Sequence, residues 1–238
     1  MLHELLNIFN VNTIMFTVMN YPMSYLEFFG TIANLLCVYL AAKNKILTWP
    51  IGLIGVILYL FLFYQIQLYS DFFEQIYFLF ASFYGWYLWK NPNKVYKLKM
   101  NGPAVKVKPF KKPKEITWGS LTTNIIWVMI TIIGTGVAYL FMSNIHNLLP
   151  ALFPLPADYP MMDAFTTVMS FVATILMAQR KVACWIFWIV VDVIGIWLYW
   201  SKGVKFISIE YVIFLGNAIY GLWLWTSTYN KSLIKRTI

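Results

Sequence analysis

Charge is scarce in this sequence: Asp, Glu, Lys and Arg make up only 11% of 238 residues, whereas 61% are hydrophobic. That deficit excludes an ordinary soluble domain, in which about a quarter of the residues are charged. Histidine is nearly missing, and the two present, His3 and His146, lie outside the long apolar runs and form no His-Glu-x-x-His motif, so an intramembrane metalloprotease is excluded. Cys37 and Cys184 are the two cysteines. Both fall in or at the ends of apolar runs, where a disulfide has little reason to form, and both are expected as free thiols. No lysine sits near the middle of an apolar run, which excludes a retinal-type Schiff base. No Lys or Arg precedes Lys43, so the basic region of a secretory signal is missing.

What is present in quantity is apolar and aromatic. A hydrocarbon core about 30 Å thick needs roughly 20 apolar residues per helix. Runs with few or no charges cover residues 26–42, 46–64, 73–89, 117–142, 161–179, 183–200 and 208–226. They lack the period-two alternation of barrel strands, and backbone groups in lipid then leave only the helix. The sequence therefore predicts an all-α integral membrane protein with seven transmembrane helices. Residues 1–24 carry Asn7, Asn10, Asn12 and Asn20 and read as an outer interfacial helix, with an eighth span as the alternative.

The formal net charge of +9 does not point to nucleic acid, because the basic residues follow the membrane rather than a groove. Placing the Lys-rich linker 90–116 in the cytoplasm puts Lys43, Lys45, Lys90, the lysines from Lys94 to Lys114, Arg180, Lys181, Lys231, Lys235 and Arg236 inside, leaving Lys202 and Lys205 outside. Glu27, Asp71, Glu74, Asp158, Asp163 and Glu210 map to the outer ends of spans or to outer loops. The expected orientation is N-terminus outside and C-terminus cytoplasmic.

An internal repeat organises the chain. Residues 25–89 and 161–225 align without gaps, pairing Lys45 with Lys181, Trp49 with Trp185, Glu74 with Glu210, Tyr84 with Tyr220, Gly85 with Gly221 and Trp89 with Trp225. Each unit holds three helices, an odd number, yet the charge map gives both units one orientation. The unpaired span 117–142 supplies the inversion, so the expected layout is 3+1+3 with parallel repeats. An outer Pro-rich loop at 143–160 and a cytoplasmic tail at 226–238 complete it.

Polar residues at mid-depth mark function, since they face a bundle interior or a water-filled cavity. Asn34, Ser170, Asp192 and Asn217 are such residues. Asp192 pairs with Val56 in the repeat, so the fold itself does not require a carboxylate there. At 100° per residue Trp185, Trp188 and Asp192 share one helix face, and Glu210, Asn217, Tyr220 and Gly221 share another. Trp185 also suits an interface anchor, and Asn34 and Asn217 also suit interhelical hydrogen bonds. Aromatic faces, a carboxylate and amides without Lys or Arg would attract a planar cation. A phosphate would want arginine, lysine or a helix N-terminus.

The motif Trp185-x-x-Trp188-x-x-x-Asp192 resembles the Trp-x-x-Trp-x-x-x-Asn/Asp signature of the PnuC family of bacterial nicotinamide riboside transporters. The endings Tyr84 to Trp89 and Tyr220 to Trp225 resemble it as well. The resemblance implies a fold like that of the sugar-transporting SWEET proteins in a bacterial inner membrane. It also implies facilitated diffusion of nicotinamide riboside, trapping by a cytoplasmic kinase, a homo-oligomer such as a trimer, and no cofactor. Trp185, Trp188 and Asp192 would contact the ligand, with Asn217 opposite. Asn34, Ser170, Thr174, Gln75 and Tyr220 join them as candidates. A related cationic vitamin such as thiamine, or a proton-coupled symporter using Asp192, are the alternatives.

Overall fold

A computed structural model describes residues 7–18, 20–91, 115–151 and 154–237. The lysines from Lys94 to Lys114, and with them most of the expected linker, lie outside the described residues. Among these residues two short strands, β1 (Ile14–Val18) and β2 (Tyr21–Ser24), precede seven helices: α1 (Tyr25–Ala42), α2 (Thr48–Gln65), α3 (Tyr69–Lys90), α4 (Leu121–Leu148), α5 (Pro160–Ala178), α6 (Ala183–Ser201) and α7 (Lys205–Thr237). Six are long and apolar enough to cross a membrane. This is a multi-pass membrane protein. The exception is α3, and burial explains its lower hydropathy: Ser70, Asp71, Glu74, Gln75 and Ser82 are turned into the protein.

The expected interfacial helix is not what residues 14–24 form. β1 and β2 pair antiparallel, with Asn20 at φ 65, a left-handed turn conformation that asparagine tolerates. β-branched residues at 13, 14, 17 and 18 favour the extended chain. Side-chain bonds from Gln65 seat the preceding segment on the end of α2: its Oε1 accepts from Val11 N at 2.9 Å and its Nε2 donates to Phe9 O at 2.8 Å. Ser24 ends β2 and caps α1, its hydroxyl accepting from Glu27 N at 3.2 Å.

Two further boundaries differ from the sequence reading. α4 runs on to Leu148 because Met142 and Ile145 are buried against Phe73. α7 continues through the expected tail, no Gly or Pro interrupting it after Gly221.

Six helices close a ring in the order α1, α2, α3, α5, α6, α7 and back to α1. α4 stands outside that ring against α5, exposing Ile125, Ile132, Ile133, Val137 and Leu140 as a lipid-compatible flank. One end of the ring gathers the loops carrying Lys43, Lys45, Arg180 and Lys181. Thr117, leading into α4, is tied there, with Thr117 N donating to Arg180 O at 3.1 Å and Val182 N to Thr117 O at 2.9 Å. The other end carries the hairpin and the Lys202–Asp163 ion pair at 2.6 Å.

Local geometry repeats where the sequence repeats. Trp49 meets Trp89 edge-on at 5.4 Å and 89°, and Trp185 meets Trp225 at 5.5 Å and 88°. Trp89 Nε1 donates to Ala178 O at 3.1 Å, while Trp225 Nε1 donates to Ala42 O at 3.0 Å. Arg180 breaks the equivalence with its partner Asn44. Its Nε donates to Asn44 Oδ1 at 2.9 Å, its guanidinium lies 4.3 Å from the Trp89 ring centre, and burial holds it below the usual arginine range.

Gly85 and Gly221 let the Trp49 and Trp185 rings lie directly on the backbone of α3 and α7, where an added methyl group would overlap the indole. Gly85→Ala and Gly221→Ala are each expected to destabilise the protein by about 1–3 kcal/mol through overpacking, read as a lower unfolding temperature in detergent. Gly216→Ala, with open space at its Cβ position, should not do so.

Candidate functional site

The ring encloses a cavity of about 1100 Å³ including its opening. Its walls come from α1, α2, α3, α5, α6 and α7. Tryptophans line its basic end: Trp49 and Trp185, both buried, with Trp188 one turn further along α6. Asp192 lies about 10 Å beyond Trp185 along the same helix, is 3% exposed and also faces the cavity. The helical phase deduced for these three residues matches their common wall.

Asn34, Gln75 and Thr174 line the same space, Asn34 lying against Gly55 and Thr174 donating to Ser170 O at 2.8 Å. Ser170, Asn217 and Tyr220 do not line it. Ser170 is buried one layer behind, its hydroxyl on the side of Glu74. On α7 the cavity-facing residues Ile207, Glu210, Tyr211, Phe214 and Ala218 fill an arc of about 100° beginning at Glu210. Asn217 falls about 20° and Tyr220 about 80° outside it at the same angular rise. Asn217 Nδ2 instead donates to Ile213 O at 3.3 Å. Tyr220 packs on Trp223, with the Lys43 ammonium 5.3 Å from its ring centre.

Asp71, Glu74 and Glu210, expected at outer span ends or loops, do stand near the starts of α3 and α7. The sequence reading did not count them as site residues, yet they are 6%, 7% and 2% exposed and line the cavity. A readable signal existed: Asp71, Glu74, Gln75, Phe78 and Ser82 recur at helical spacing and form one stripe of α3. Phenols hold two of the carboxylates. Tyr59 on α2 donates to Glu210 on α7, and Tyr199 on α6 donates to Asp71 on α3. The Thr31 hydroxyl lies 2.7 Å from the Tyr59 oxygen and 3.5 Å from Glu210 Oε2.

Among the described residues no Lys or Arg lines the cavity, and no three His, Cys, Asp or Glu side chains converge to hold a metal. The indole N–H groups of Trp49, Trp185 and Trp188 and the Oε1 atom of Glu210 are buried without a hydrogen-bond partner among the described residues. Buried polar atoms are normally bonded. A narrow aromatic chamber with unengaged donors, an unengaged acceptor and several carboxylates has the makings of a site for a polar, cationic ring compound.

The sequence profile described as nicotinamide mononucleotide transporter matches residues 24–227, the stretch that builds the whole ring. The chain belongs to that family. A relative named nicotinamide riboside transporter PnuC, from Escherichia coli (strain K12), is 33% identical over 216 residues, 87% of either chain. A family relative from Streptomyces davaonensis, named riboflavin/roseoflavin transporter RibM, is 24% identical over 216 residues, 90% of this chain and 91% of that one. The crystal structure of the vitamin B3 transporter PnuC superimposes with a TM-score of 0.64 over 97% of this chain and 88% of that one, at 22% identity, and so shares the fold.

The Tyr59–Glu210 bond joins the two sequence repeats inside this nicotinamide mononucleotide transporter family fold. Tyr59→Phe is expected to cost about 1–3 kcal/mol, the penalty for stripping a buried carboxylate of its donor. Thermal unfolding in detergent should show the drop, and Phe63→Leu should not reproduce it in full.

Proposed function

We propose that this protein is a membrane transporter for nicotinamide riboside, working by facilitated diffusion. The observation that carries the reading is the cavity itself, which indoles and carboxylates line together with no Lys or Arg among the described lining residues. Nicotinamide riboside is a pyridinium cation with a carboxamide and a ribose. Ring quadrupoles and carboxylates attract the cation, and amides and hydroxyls suit the rest. A mononucleotide adds a phosphate, which asks for guanidinium, ammonium or a helix N-terminus. The unphosphorylated riboside is therefore favoured over the nucleotide of the family description, in agreement with the name of the Escherichia coli relative.

In this reading Trp185, Trp188 and Asp192 hold the pyridinium, and Asn34, Gln75 and Thr174 lie within reach of the polar substituents. The helices form a 3+1+3 array of seven spans with parallel repeats and α4 as the inverting helix. The closed ring supports this, since α1–α3 and α5–α7 each occupy one contiguous half of it, as do the matched Trp–Trp and Trp–carbonyl contacts. The basic end faces the cytoplasm of a bacterial inner membrane by the positive-inside rule. That places the start of α1 outside and the C-terminus inside. A cytoplasmic kinase retains the substrate, and the assembly is a homo-oligomer such as a trimer.

Titration of the purified protein with nicotinamide riboside should give a saturable change in tryptophan fluorescence, with nicotinamide mononucleotide, thiamine and riboflavin binding at least tenfold more weakly. Equal binding of the mononucleotide, or saturation by riboflavin or thiamine in its place, would overturn the substrate assignment. Asp192→Ala should abolish riboside binding with expression and membrane insertion intact. In vesicles without a kinase, riboside equilibration should persist with an uncoupler; its collapse there would favour proton coupling through Asp192.

A further inference from the structure

Glu210 is the most completely buried carboxylate of the cavity wall, at 2% exposure, and its two oxygens are treated differently. Oε2 takes the Tyr59 phenol and lies 3.5 Å from the Thr31 hydroxyl. Oε1 has no partner among the described residues. Among the described residues no cationic side chain lines the cavity to neutralise the charge. A carboxylate oxygen left unbonded at this depth is costly, and the cost falls when a donor reaches it. The Tyr59 and Thr31 bonds also fix the plane of the carboxylate, so the second oxygen is presented in one direction instead of swinging to find its own donor.

Position adds a second argument. Glu210 stands on α7, on the hairpin side of the cavity, whereas the indoles of Trp49 and Trp185 line the basic side. Its repeat partner Glu74 also lines the cavity, but among the described residues neither of its oxygens is both fully buried and unpartnered. Of the two equivalent glutamates, then, Glu210 is the one whose oxygen is buried without a donor among the described residues.

We propose that Glu210 Oε1 is a specificity-determining acceptor for a hydroxyl group of the substrate, reading its sugar at the end of the cavity away from the tryptophans. The inference rests on the nicotinamide riboside reading and deepens it. The ring portion is held by aromatic faces and Asp192, and the polyol portion by Glu210. A hydrogen bond to a charged acceptor in a buried site is worth about 10- to 100-fold in affinity, and a site built around it rejects ligands lacking the donor.

The test compares three ligands on the full chain in detergent by tryptophan fluorescence: nicotinamide riboside, its 2′,3′-dideoxy analogue, and 1-methylnicotinamide, a pyridinium carboxamide without sugar. The wild-type protein should bind the riboside about 10- to 100-fold more tightly than the dideoxy analogue. Glu210→Gln, which places an amide where a carboxylate stood, should shrink that ratio to within about threefold, with 1-methylnicotinamide weakened no more than the dideoxy analogue, since both lose only the attraction of the charge. Because the ligand comparison needs only the wild-type chain, it decides the matter even if Glu210→Gln fails to fold. Equal wild-type binding of riboside and dideoxy analogue overturns the role of Glu210. So does a Glu210→Gln variant that weakens all three ligands alike, since that outcome reports only a lost charge. If the riboside itself does not bind the wild-type protein, the substrate reading fails instead, which is a separate result.

Discussion

Two indole N–H groups hold the ring of helices shut. Trp89, near the end of α3, donates to the last carbonyl of α5, and Trp225 on α7 donates to the last carbonyl of α1. Each bond crosses from one sequence repeat to the other, and each satisfies a helix-terminal carbonyl that would otherwise be stranded away from water. Only then can Trp49 and Trp185 stand edge-on to these anchors and line the cavity. The glycines beneath them are a consequence: a bulky ring can sit at the chamber floor only where the neighbouring helix presents bare backbone. At the opposite end the two phenol–carboxylate bonds play the matching part, again running from one repeat to the other.

Much of this was legible in the sequence, and for identifiable reasons. Helix class and number follow from apolar run length, which in lipid admits few alternatives. The face shared by Trp185, Trp188 and Asp192 follows from a straight helical phase over two turns. The same arithmetic grouped Asn217 with Glu210, about 20° apart, but Glu210 is the edge of the cavity-facing arc of α7, so Asn217 falls outside it. One residue cannot say which way a helix is rotated; the surrounding helices decide that. Asp71 and Glu74 were read only as charges near the outer end of a span, and the stripe they form with Gln75, Phe78 and Ser82 was not used. That stripe faces a cavity whose other walls come from helices distant in sequence. The hairpin itself replaced an expected helix because Gln65, more than fifty residues away, seats the segment that leads into it.

The cavity has one sign of charge and two textures. Asp192, Asp71, Glu74 and Glu210 make its walls an attractive well for a cation, while the indoles offer a wide flat surface at one end. Anions are disfavoured without any blocking residue, simply because nothing on the lining compensates them. Nearby cations are kept elsewhere: Lys202 is spent on Asp163, and Arg180 is packed on Trp89 and bonded to Asn44. The cation preference proposed for this cavity thus rests as much on where the basic residues are held as on which groups line it.

The turns that end α1 and α5 carry Asn44 at φ 53 and Arg180 at φ 56, and those that end α2 and α6 carry Gln67 at φ 58 and Gly203 at φ 79. Asn44 and Gly203 are residue types that tolerate this conformation, whereas Gln67 and Arg180 adopt it at a cost of about 1–2 kcal/mol each. Nothing in the side chains of Gln67 and Arg180 asks for it, and Arg180 shares no chemistry with Asn44. The simplest history is a duplicated gene: each copy inherited the same bends, and the helices packed on them kept the bends in place while the letters at those positions drifted. Backbone torsion has preserved a record of ancestry that residue identity has partly erased.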